Sequence, residues 1–291
     1  MEKSNIDEKI KLLTGSGMWH TQEVEGLPSV HLSDGPHGLR KQEEKERQNN
    51  VSLVSTCYPT ASALACSWDV TAAERLGRAV AKEAWNADVS VLLGPGINMK
   101  RSPLCGRNFE YFSEDPFLAG RLGAAYVSAA QGEDVAVSLK HFAANNQETN
   151  RQTANSQIDE RALREIYLSA FEYVVKTARP ATVMASYNRL NGYYACENRH
   201  LLTEILREEW GFDGVVISDW GACADLAKAV KAGMDLEMPD SHGIHARKLK
   251  AALKAGEISE EDIAKAAGRI EKLVKIRGCP VPCIVQEHLW G

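Results

Sequence analysis

The chain has 291 residues, of which 44% are hydrophobic and 25% charged, and its 39 acidic and 34 basic side chains give a formal net charge of −5. This composition is typical of a globular protein and argues against a disordered or collagen-like chain. We expect no nucleic-acid partner, because such proteins usually carry a basic excess or stripe. We expect no membrane partner either, because no uncharged stretch supplies the ~20 apolar residues that a membrane span requires.

The N-terminal segment predicts a short amphipathic helix rather than a secretion signal. Ile6, Ile10 and Leu13 fall on one helical face, and Ser4 and Asp7 have the spacing of a capping box. The seven cysteines are odd in number and lack paired CxxC spacing, which favours neither a disulfide framework nor a zinc site. We therefore expect a cytoplasmic protein with reduced thiols, and we expect no metal and no other cofactor.

Short apolar runs alternate with helical patterns along the chain. Each run ends in polar, reactive side chains, and the runs are 29–36, 89–98, 135–142, 181–188, 214–221 and 233–239. Such runs are typical of parallel strands that are buried on both faces. Helices are predicted from Pro116 to Gly132, over 159–176, and after Ser259, which can form a capping box with Asp262. The alternation predicts an α/β fold with a parallel sheet, either open or closed into a barrel.

Polar residues that follow the predicted strands are the candidates for a functional site, because ligands of parallel α/β proteins lie at the carboxyl ends of the strands. These residues are Asp34, Arg107, Lys140, His141, Tyr187, Asp219 and Trp220. No phosphate-binding glycine motif and no HExxH motif accompanies them. Carboxylates accept hydrogen bonds from sugar hydroxyls, cations donate to sugar oxygens, and an indole stacks on the apolar face of a sugar ring. The set therefore suits a neutral polyhydroxyl ligand.

Asp219 is the candidate that is hardest to explain structurally. It ends the apolar run VVIS, and a buried unpaired carboxylate is costly, so it needs a partner or a task. Arg and Lys nearby would keep its pKa low, and an ionised carboxylate at an anomeric carbon is a nucleophile. Structural interpretations remain open for the others: Asp34 can initiate a turn, His141 can be a core histidine, and Lys140 can extend its ammonium to the rim.

Longer blocks make the sequence similar to the N-terminal domain of the glycoside hydrolase family 3 β-glucosidases. In chain order the blocks are 33–40 (SDGPHGLR), 59–69, 92–116, 140–151 (KHFAANNQETNR), 159–172, 184–192, 201–222 and 231–239. The resemblance implies a (β/α)8 TIM-type barrel, which is irregular or partly collapsed in some members. It assigns residues 1–276 to this domain and 277–291 to an irregular tail at the position of an interdomain linker.

The same resemblance implies retaining hydrolysis of β-D-glucosides from the non-reducing end. Asp219 matches the family's nucleophile, which would carry the glycosyl-enzyme intermediate. Seven further residues match those that hold the sugar in the innermost subsite: Asp34, Arg107, Lys140, His141, Arg151, Tyr187 and Trp220. Arg151 comes from the resemblance alone. The expected partner is a small-molecule or oligosaccharide β-glucoside.

The proton donor of this mechanism is missing from the sequence pattern. A retaining glycosidase needs a second carboxyl group about 5–5.5 Å from the nucleophile as acid and base. Two-domain members take this Glu from a sandwich domain after the barrel, and single-domain members use a His-Asp pair that 140–151 does not contain. We therefore expect impaired hydrolysis by the chain alone, whether it is a truncated copy, a piece of a split enzyme or a chain that has lost activity. A complementing C-terminal domain or self-association is the expected protein partner.

Two alternatives remain open at this point. Lys140 at a strand end could form a Schiff base, as in a carbonyl lyase. The chain could also be a sugar-binding protein without turnover, because the acid is missing. The exact sugar is not defined by the sequence, since xylose and other β-linked sugars use similar pockets.

Overall fold

The computed structural model describes residues 6–42 and 51–277, with side chains described up to residue 275. The strands are β1 (Gly15–Ser16), β2 (His20–Thr21), β3 (Leu32–Asp34), β4 (Val91–Leu93), β5 (Ala136–Phe142), β6 (Asn155–Ser156), β7 (Thr182–Ala185), β8 (Arg189–Leu190), β9 (Tyr193–Tyr194) and β10 (Val215–Ser218). Five of them form a parallel sheet in the order β10–β7–β5–β4–β3. Every residue of β4, β5, β7 and β10 is buried, as the continuous apolar runs predicted.

Single backbone bridges close this sheet into a ring. Ile217 of β10 pairs in parallel with Leu236, and Glu237 pairs in parallel with Thr14. β1 then pairs antiparallel with β2, and His20 of β2 bridges to His31, next to β3. Within the described ranges the ring thus has eight segments, of which β2 runs against the others. The barrel that the resemblance implied is confirmed, in its irregular form.

Helices cover the outside of the ring. They are α1 (Ile6–Leu12), α2 (Ala61–Ala65), α3 (Val70–Asn86), α4 (Pro116–Gln131), α5 (Glu160–Ala162), α6 (Ser169–Ala178), α7 (Leu226–Ala232), α8 (Ile244–Lys254) and α9 (Glu260–Arg277). Leu163–Tyr167 and His200–Glu209 are π-helical, and Ala195–Glu197 forms a 3-10 turn. No helix in the described part of the chain has the length and apolarity needed to cross a membrane.

The predicted caps of α4 and α9 are confirmed, whereas the helix predicted over 159–176 is divided into α5, a π-helical segment and α6, which ends at Ala178. Asp115 caps α4 by accepting a hydrogen bond from the backbone N–H of Phe117 (3.0 Å), and Gly132 follows its last residue. Ser259 and Asp262 exchange the two hydrogen bonds of a capping box at the start of α9. Ser4, which was expected to cap α1, lies outside the described residues, as do 43–50 and 278–291. The boundary at 276 stays a prediction.

The run 233–239 differs from its prediction, because it makes single bridges at 236 and 237 instead of a strand. Gly233 has a φ of 112° and ends α7, so the run begins with a helix cap. The Asp235 side chain takes part in the hydrogen bonding of the sheet, because its Oδ2 accepts a hydrogen bond from the backbone N–H of Val216 in β10 (2.8 Å). β1 and β2 were not predicted, because two-residue strands have too little apolar pattern to detect.

Asp235 also links three elements beneath the barrel. It is fully buried, and its carboxylate oxygens bind Arg207 Nη2 (2.7 Å) and Arg269 Nη1 (2.9 Å). Arg207 belongs to the second π-helical segment and Arg269 to α9. The group therefore fixes these helices to the end of the sheet opposite the candidate site.

Candidate functional site

Asp219 follows β10 directly, and its side chain is held from one side only. Its backbone N–H donates to the carbonyl of Ala185 at the end of β7 (2.9 Å), which places the two strand ends together. Its Oδ1 accepts from the N–H of Trp220 (2.8 Å). Its Oδ2 is buried and has no hydrogen-bond partner in the described structure, and the residue is 6% exposed. One carboxylate oxygen is thus fixed and the other is left free for a ligand.

The expectation of a low pKa for Asp219 is wrong. Burial raises the pKa, and this effect exceeds the opposing effects of Arg107, the Trp220 N–H, Lys140 and Arg151. The reason is distance: Arg107 Nη1 lies 3.8 Å from Oδ2, which is an ion pair without a hydrogen bond. Asp219 is therefore a more basic carboxylate than a surface aspartate.

Lys140 and Asp34 form an ion pair across the mouth of the barrel, with Nζ 2.7 Å from Oδ1. Lys140 is 4% exposed, so its ammonium does not extend to the rim. Burial lowers the pKa of Lys140, but Asp34 and Glu110 outweigh it and the net shift is upward. Burial likewise raises the pKa of Asp34, but Lys140 outweighs it and the net shift is downward. Both groups are charged, which disfavours the Schiff-base alternative, because a Schiff base needs a neutral amine.

His141 is buried and neutral. Burial lowers the pKa of its imidazole well below the usual value, and Arg107, Lys140 and Arg151 lower it further. Its Nε2 contacts Arg107 Nη1, and its Nδ1 lies 3.0 Å from the hydroxyl of Tyr111. Because a guanidinium can only donate, Nε2 is assigned as the acceptor and Nδ1 as the protonated nitrogen. The histidine thereby orients Arg107 toward Asp219.

The aromatic side of the site is built from Tyr187 and Trp220. The Tyr187 hydroxyl donates to the Trp220 carbonyl (2.8 Å), and the Arg151 guanidinium lies 4.4 Å from the centroid of the Tyr187 ring. The Trp220 indole N–H donates to the carbonyl of Met18 (2.8 Å). Burial raises the pKa of Tyr187, and Asp219 adds to this, so its hydroxyl stays protonated.

The structure therefore brings all eight predicted residues to one end of the barrel. Each touches another member of the set directly or is its neighbour in sequence. Two further acids that sequence reasoning missed lie among them, Glu110 and Glu148, both bound to Arg107. Each stands three residues from an arginine, in the blocks GRNFEYF and KHFAANNQETNR, and that spacing was the available signal.

Cys223, Glu237 and His245 form a separate group with ligand atoms within 4.8 Å of one another. This group has no recognisable spacing in the sequence, since three separate segments contribute one residue each. His245 Nδ1 already binds Glu237, and burial raises the pKa of the Cys223 thiol well above its usual value. The described contacts thus account for the group as a buried hydrogen-bonded pair beside a neutral thiol.

Fold and site together define an irregular α/β barrel with a buried, partly unpaired carboxylate at the carboxyl ends of its strands. The profile of the glycosyl hydrolase family 3 N-terminal domain matches residues 36–273. The chain belongs to this family, as its sequence blocks indicated.

Its relatives are longer proteins. Thermostable beta-glucosidase B of Acetivibrio thermocellus is 52% identical over 278 residues, which are 94% of this chain and 37% of that protein. An exo-alpha-(1->6)-L-arabinopyranosidase of Bifidobacterium longum is 50% identical over 242 residues, or 81% of this chain and 32% of that protein. The chain thus spans about a third of the length of the curated relatives it matches.

Solved structures agree with the fold. The family 3 beta-glucosidase of Bifidobacterium adolescentis has a TM-score of 0.89 and 45% identity, covering 95% of this chain and 40% of that one. Beta-glucosidase 3B of Thermotoga neapolitana in complex with glucose has a TM-score of 0.89 and 39% identity, covering 94% of this chain and 41% of that one.

Proposed function

We propose that this chain is the sugar-binding and nucleophile-carrying part of a retaining β-glucosidase. One observation carries the proposal: the Oδ2 atom of Asp219 is buried without a hydrogen-bond partner, while Arg107 and His141 each lie 3.8 Å from it. A buried acceptor of this kind is costly unless a ligand uses it. Three of the similar proteins reported above are named beta-glucosidases, which supports a β-glucoside as that ligand.

In the proposed mechanism, Asp219 Oδ2 attacks the anomeric carbon and the bond to the aglycone oxygen breaks. The departing oxygen takes a proton from an acid, and the glycosyl ester on Asp219 is then hydrolysed by water with retention. Asp34, Lys140, Arg107 and Arg151 supply hydrogen bonds and charge to the sugar oxygens. His141, which the sequence placed in the same subsite, acts in this proposal by orienting Arg107. Tyr187 and Trp220 supply the aromatic face of the pocket.

The acid of this mechanism is proposed to come from outside the chain. Three carboxylates in the described structure belong to the charged cluster around Asp219, and each is ion-paired: Asp34 with Lys140, and Glu110 and Glu148 with Arg107. Each of these acids is thus already committed to a cation of the site. We therefore propose that the chain alone is impaired for substrates that need protonation.

Covalent labelling tests the nucleophile without an acid. A 2,4-dinitrophenyl 2-deoxy-2-fluoro-β-glucoside should add one fluoroglucosyl group per chain, located on Asp219 by peptide mass analysis. Asp219→Asn should take up none and should still bind glucose. A wild-type chain that binds glucose but never becomes labelled would favour the alternative, a sugar-binding protein without turnover.

The proposed partner is a complementing C-terminal domain. Large apolar side chains are exposed in the loops that follow β3 and β4, with Val54 at 104% and Leu104 at 92% relative exposure. We propose that these two side chains belong to the surface that the partner covers. Mixing the chain with the remaining portion of the Acetivibrio thermocellus relative should restore hydrolysis of alkyl glucosides. Self-association without added activity would contradict this choice.

A second candidate substrate is an α-L-arabinopyranoside. Two relatives, 50% and 45% identical to the chain, are named exo-alpha-(1->6)-L-arabinopyranosidases. Comparing the cleavage rates of dinitrophenyl β-D-glucoside and dinitrophenyl α-L-arabinopyranoside under the same conditions shows which sugar is preferred.

A cytoplasmic location stays a prediction.

A further inference from the structure

Six charged side chains of alternating sign form a continuous row beside Asp219. In order they are Asp34, Lys140, Glu110, Arg107, Glu148 and Arg151, and the successive ion-pair distances are 2.7, 3.6, 3.8, 3.1 and 2.7 Å. We call these residues the charge row. Its first, second, fourth and sixth members are residues that were predicted from the sequence to bind the sugar. The two acids between them, Glu110 and Glu148, have no role in the proposed mechanism.

Glu110 is the buried centre of the charge row. It is 8% exposed, and its two oxygens face different cations: Oε1 faces Arg107 Nε, and Oε2 faces Lys140 Nζ. The following residue, Tyr111, pairs with Gly96, which also pairs with Lys140, so the backbone fixes this acid beside the end of β5. A carboxylate in this place offsets the repulsion between the two cations and so holds both of them near the site.

Glu148 does the same at the outer end of the row. Its Oε1 lies 3.1 Å from Arg107 Nε and also accepts from Asn145 Nδ2 (3.1 Å), and its Oε2 accepts from Arg151 Nη1 (2.7 Å). Arg151 is then held over the ring of Tyr187. Both arginines of the site are thus fixed by a single carboxylate.

We propose that Glu110 and Glu148 are positioning residues that fix Lys140, Arg107 and Arg151 around Asp219 and limit the positive charge that Asp219 experiences. The inference rests on the proposed function, in which Asp219 is the nucleophile. The charges of the row sum to zero, since three acids oppose three bases. Burial raises the pKa of Asp219, and a row without net charge leaves that effect in place although cations surround the carboxylate. Basicity favours nucleophilic attack.

Other groups near Asp219 do not replace this effect. His141 is neutral, the Tyr187 hydroxyl is used by the Trp220 carbonyl, and the backbone N–H of Trp220 binds Oδ1. Burial raises the pKa of Cys196, so its thiol is also neutral near pH 7. Glu110 and Glu148 are thus the anions that offset Arg107 and Arg151 among the described groups.

Glu110→Gln tests the inference, because glutamine keeps the shape and removes the charge. The row then carries one net positive charge, which stabilises ionised Asp219. We expect the acid limb of the labelling rate, measured against pH with the fluoroglucoside, to move to lower pH. We also expect the plateau rate constant to fall about tenfold, because even a small displacement of groups around the reacting atoms lowers the rate. Glu110→Asp keeps the charge and should leave the acid limb near its wild-type position.

Glu172→Gln is the matched control. Glu172 pairs with Lys176 (2.6 Å) on α6, outside the site. Removing the Glu172 charge should therefore change neither the acid limb of the labelling rate nor its plateau rate constant. A limb that is the same in wild type and Glu110→Gln would overturn the inference.

A second measurement keeps the test independent of turnover. The carboxyl carbon of Asp219 can be titrated by ¹³C NMR in chains with labelled aspartate, and its signal is assigned by its loss in Asp219→Asn. Its midpoint should be lower in Glu110→Gln than in wild type. If the wild-type chain shows no labelling but this shift is present, the proposed function fails and the positioning inference stands.

Discussion

The indole rings of Trp19 and Trp220 pack against each other, with centroids 5.2 Å apart and planes inclined by 38°. The Trp19 indole N–H donates a hydrogen bond to Gln42 Oε1 (3.0 Å), and this bond fixes the orientation of the Trp19 ring. The aromatic neighbour of Asp219 is therefore braced by the N-terminal segment that closes the barrel. This relationship leads to the first prediction.

Trp19→Ala should weaken sugar binding by about tenfold. Aromatic pairs contribute about 0.5–1.5 kcal/mol beyond the area they bury, and the Trp220 ring also loses its fixed orientation. Isothermal titration with glucose measures the change. Trp85→Ala, at the exposed end of α3, is the control and should leave glucose affinity unchanged. Equal affinity in wild type and Trp19→Ala would show that Trp220 is held without its neighbour.

The second prediction concerns the leaving group. General acid catalysis is worth about 10²–10⁴ in rate. A dinitrophenyl glucoside needs little protonation, so the chain alone should cleave it much faster than an alkyl glucoside. Steady-state rates on the two substrates provide the comparison. High and equal rates on both would place an acid within the chain.

The third prediction concerns stability. Asp235→Ala leaves Arg207 and Arg269 without their shared buried partner, and removing one member of a buried ion pair costs about 3–5 kcal/mol. Urea denaturation should show a loss of this size. Asp213→Ala removes an exposed pair with Lys272 (2.9 Å) and should cost less than about 1 kcal/mol. Similar losses in both variants would contradict the structural role of Asp235.

His31 gives a pH-dependent prediction. Burial, with help from His20 and Lys41, lowers its pKa from 6.5 to about 4. As the pH falls from 7 toward 4, the unfolded chain therefore takes up this proton before the folded chain does, and His31 makes stability fall. The Tm of wild type should decline more steeply over this range than that of His31→Gln. Parallel Tm curves would exclude His31 as a contributor.

Much of the fold was predictable because the central strands are continuous apolar runs and several helices have side-chain caps. Barrel closure was not predictable, because Gly15–Ser16 and His20–Thr21 carry no apolar pattern and act through single bridges. The strand prediction for 233–239 was wrong for a related reason. The Asp235 side chain, and not only the backbone, accepts a hydrogen bond from the sheet there.

Some residues of the site could likewise be predicted from the sequence, and others could not. Residues at the end of a strand or directly after it, such as Lys140 in β5 and Asp219 after β10, could be predicted from position alone. Arg151 lies in a loop that folds back over Tyr187, and only the family resemblance indicated it. The pKa of Asp219 was predicted in the wrong direction, because sequence gives the signs of neighbouring charges but not whether they reach hydrogen-bond distance.

The antiparallel segment β2 joins β1 to the segment that leads into β3, through very few backbone hydrogen bonds. Residues 13–21 therefore complete the ring. Deleting them would leave an open sheet with two free edges, one at β3 and one at 236–237. Unpaired edges recruit strands from other molecules. We therefore expect a chain without this N-terminal segment to polymerise edge to edge.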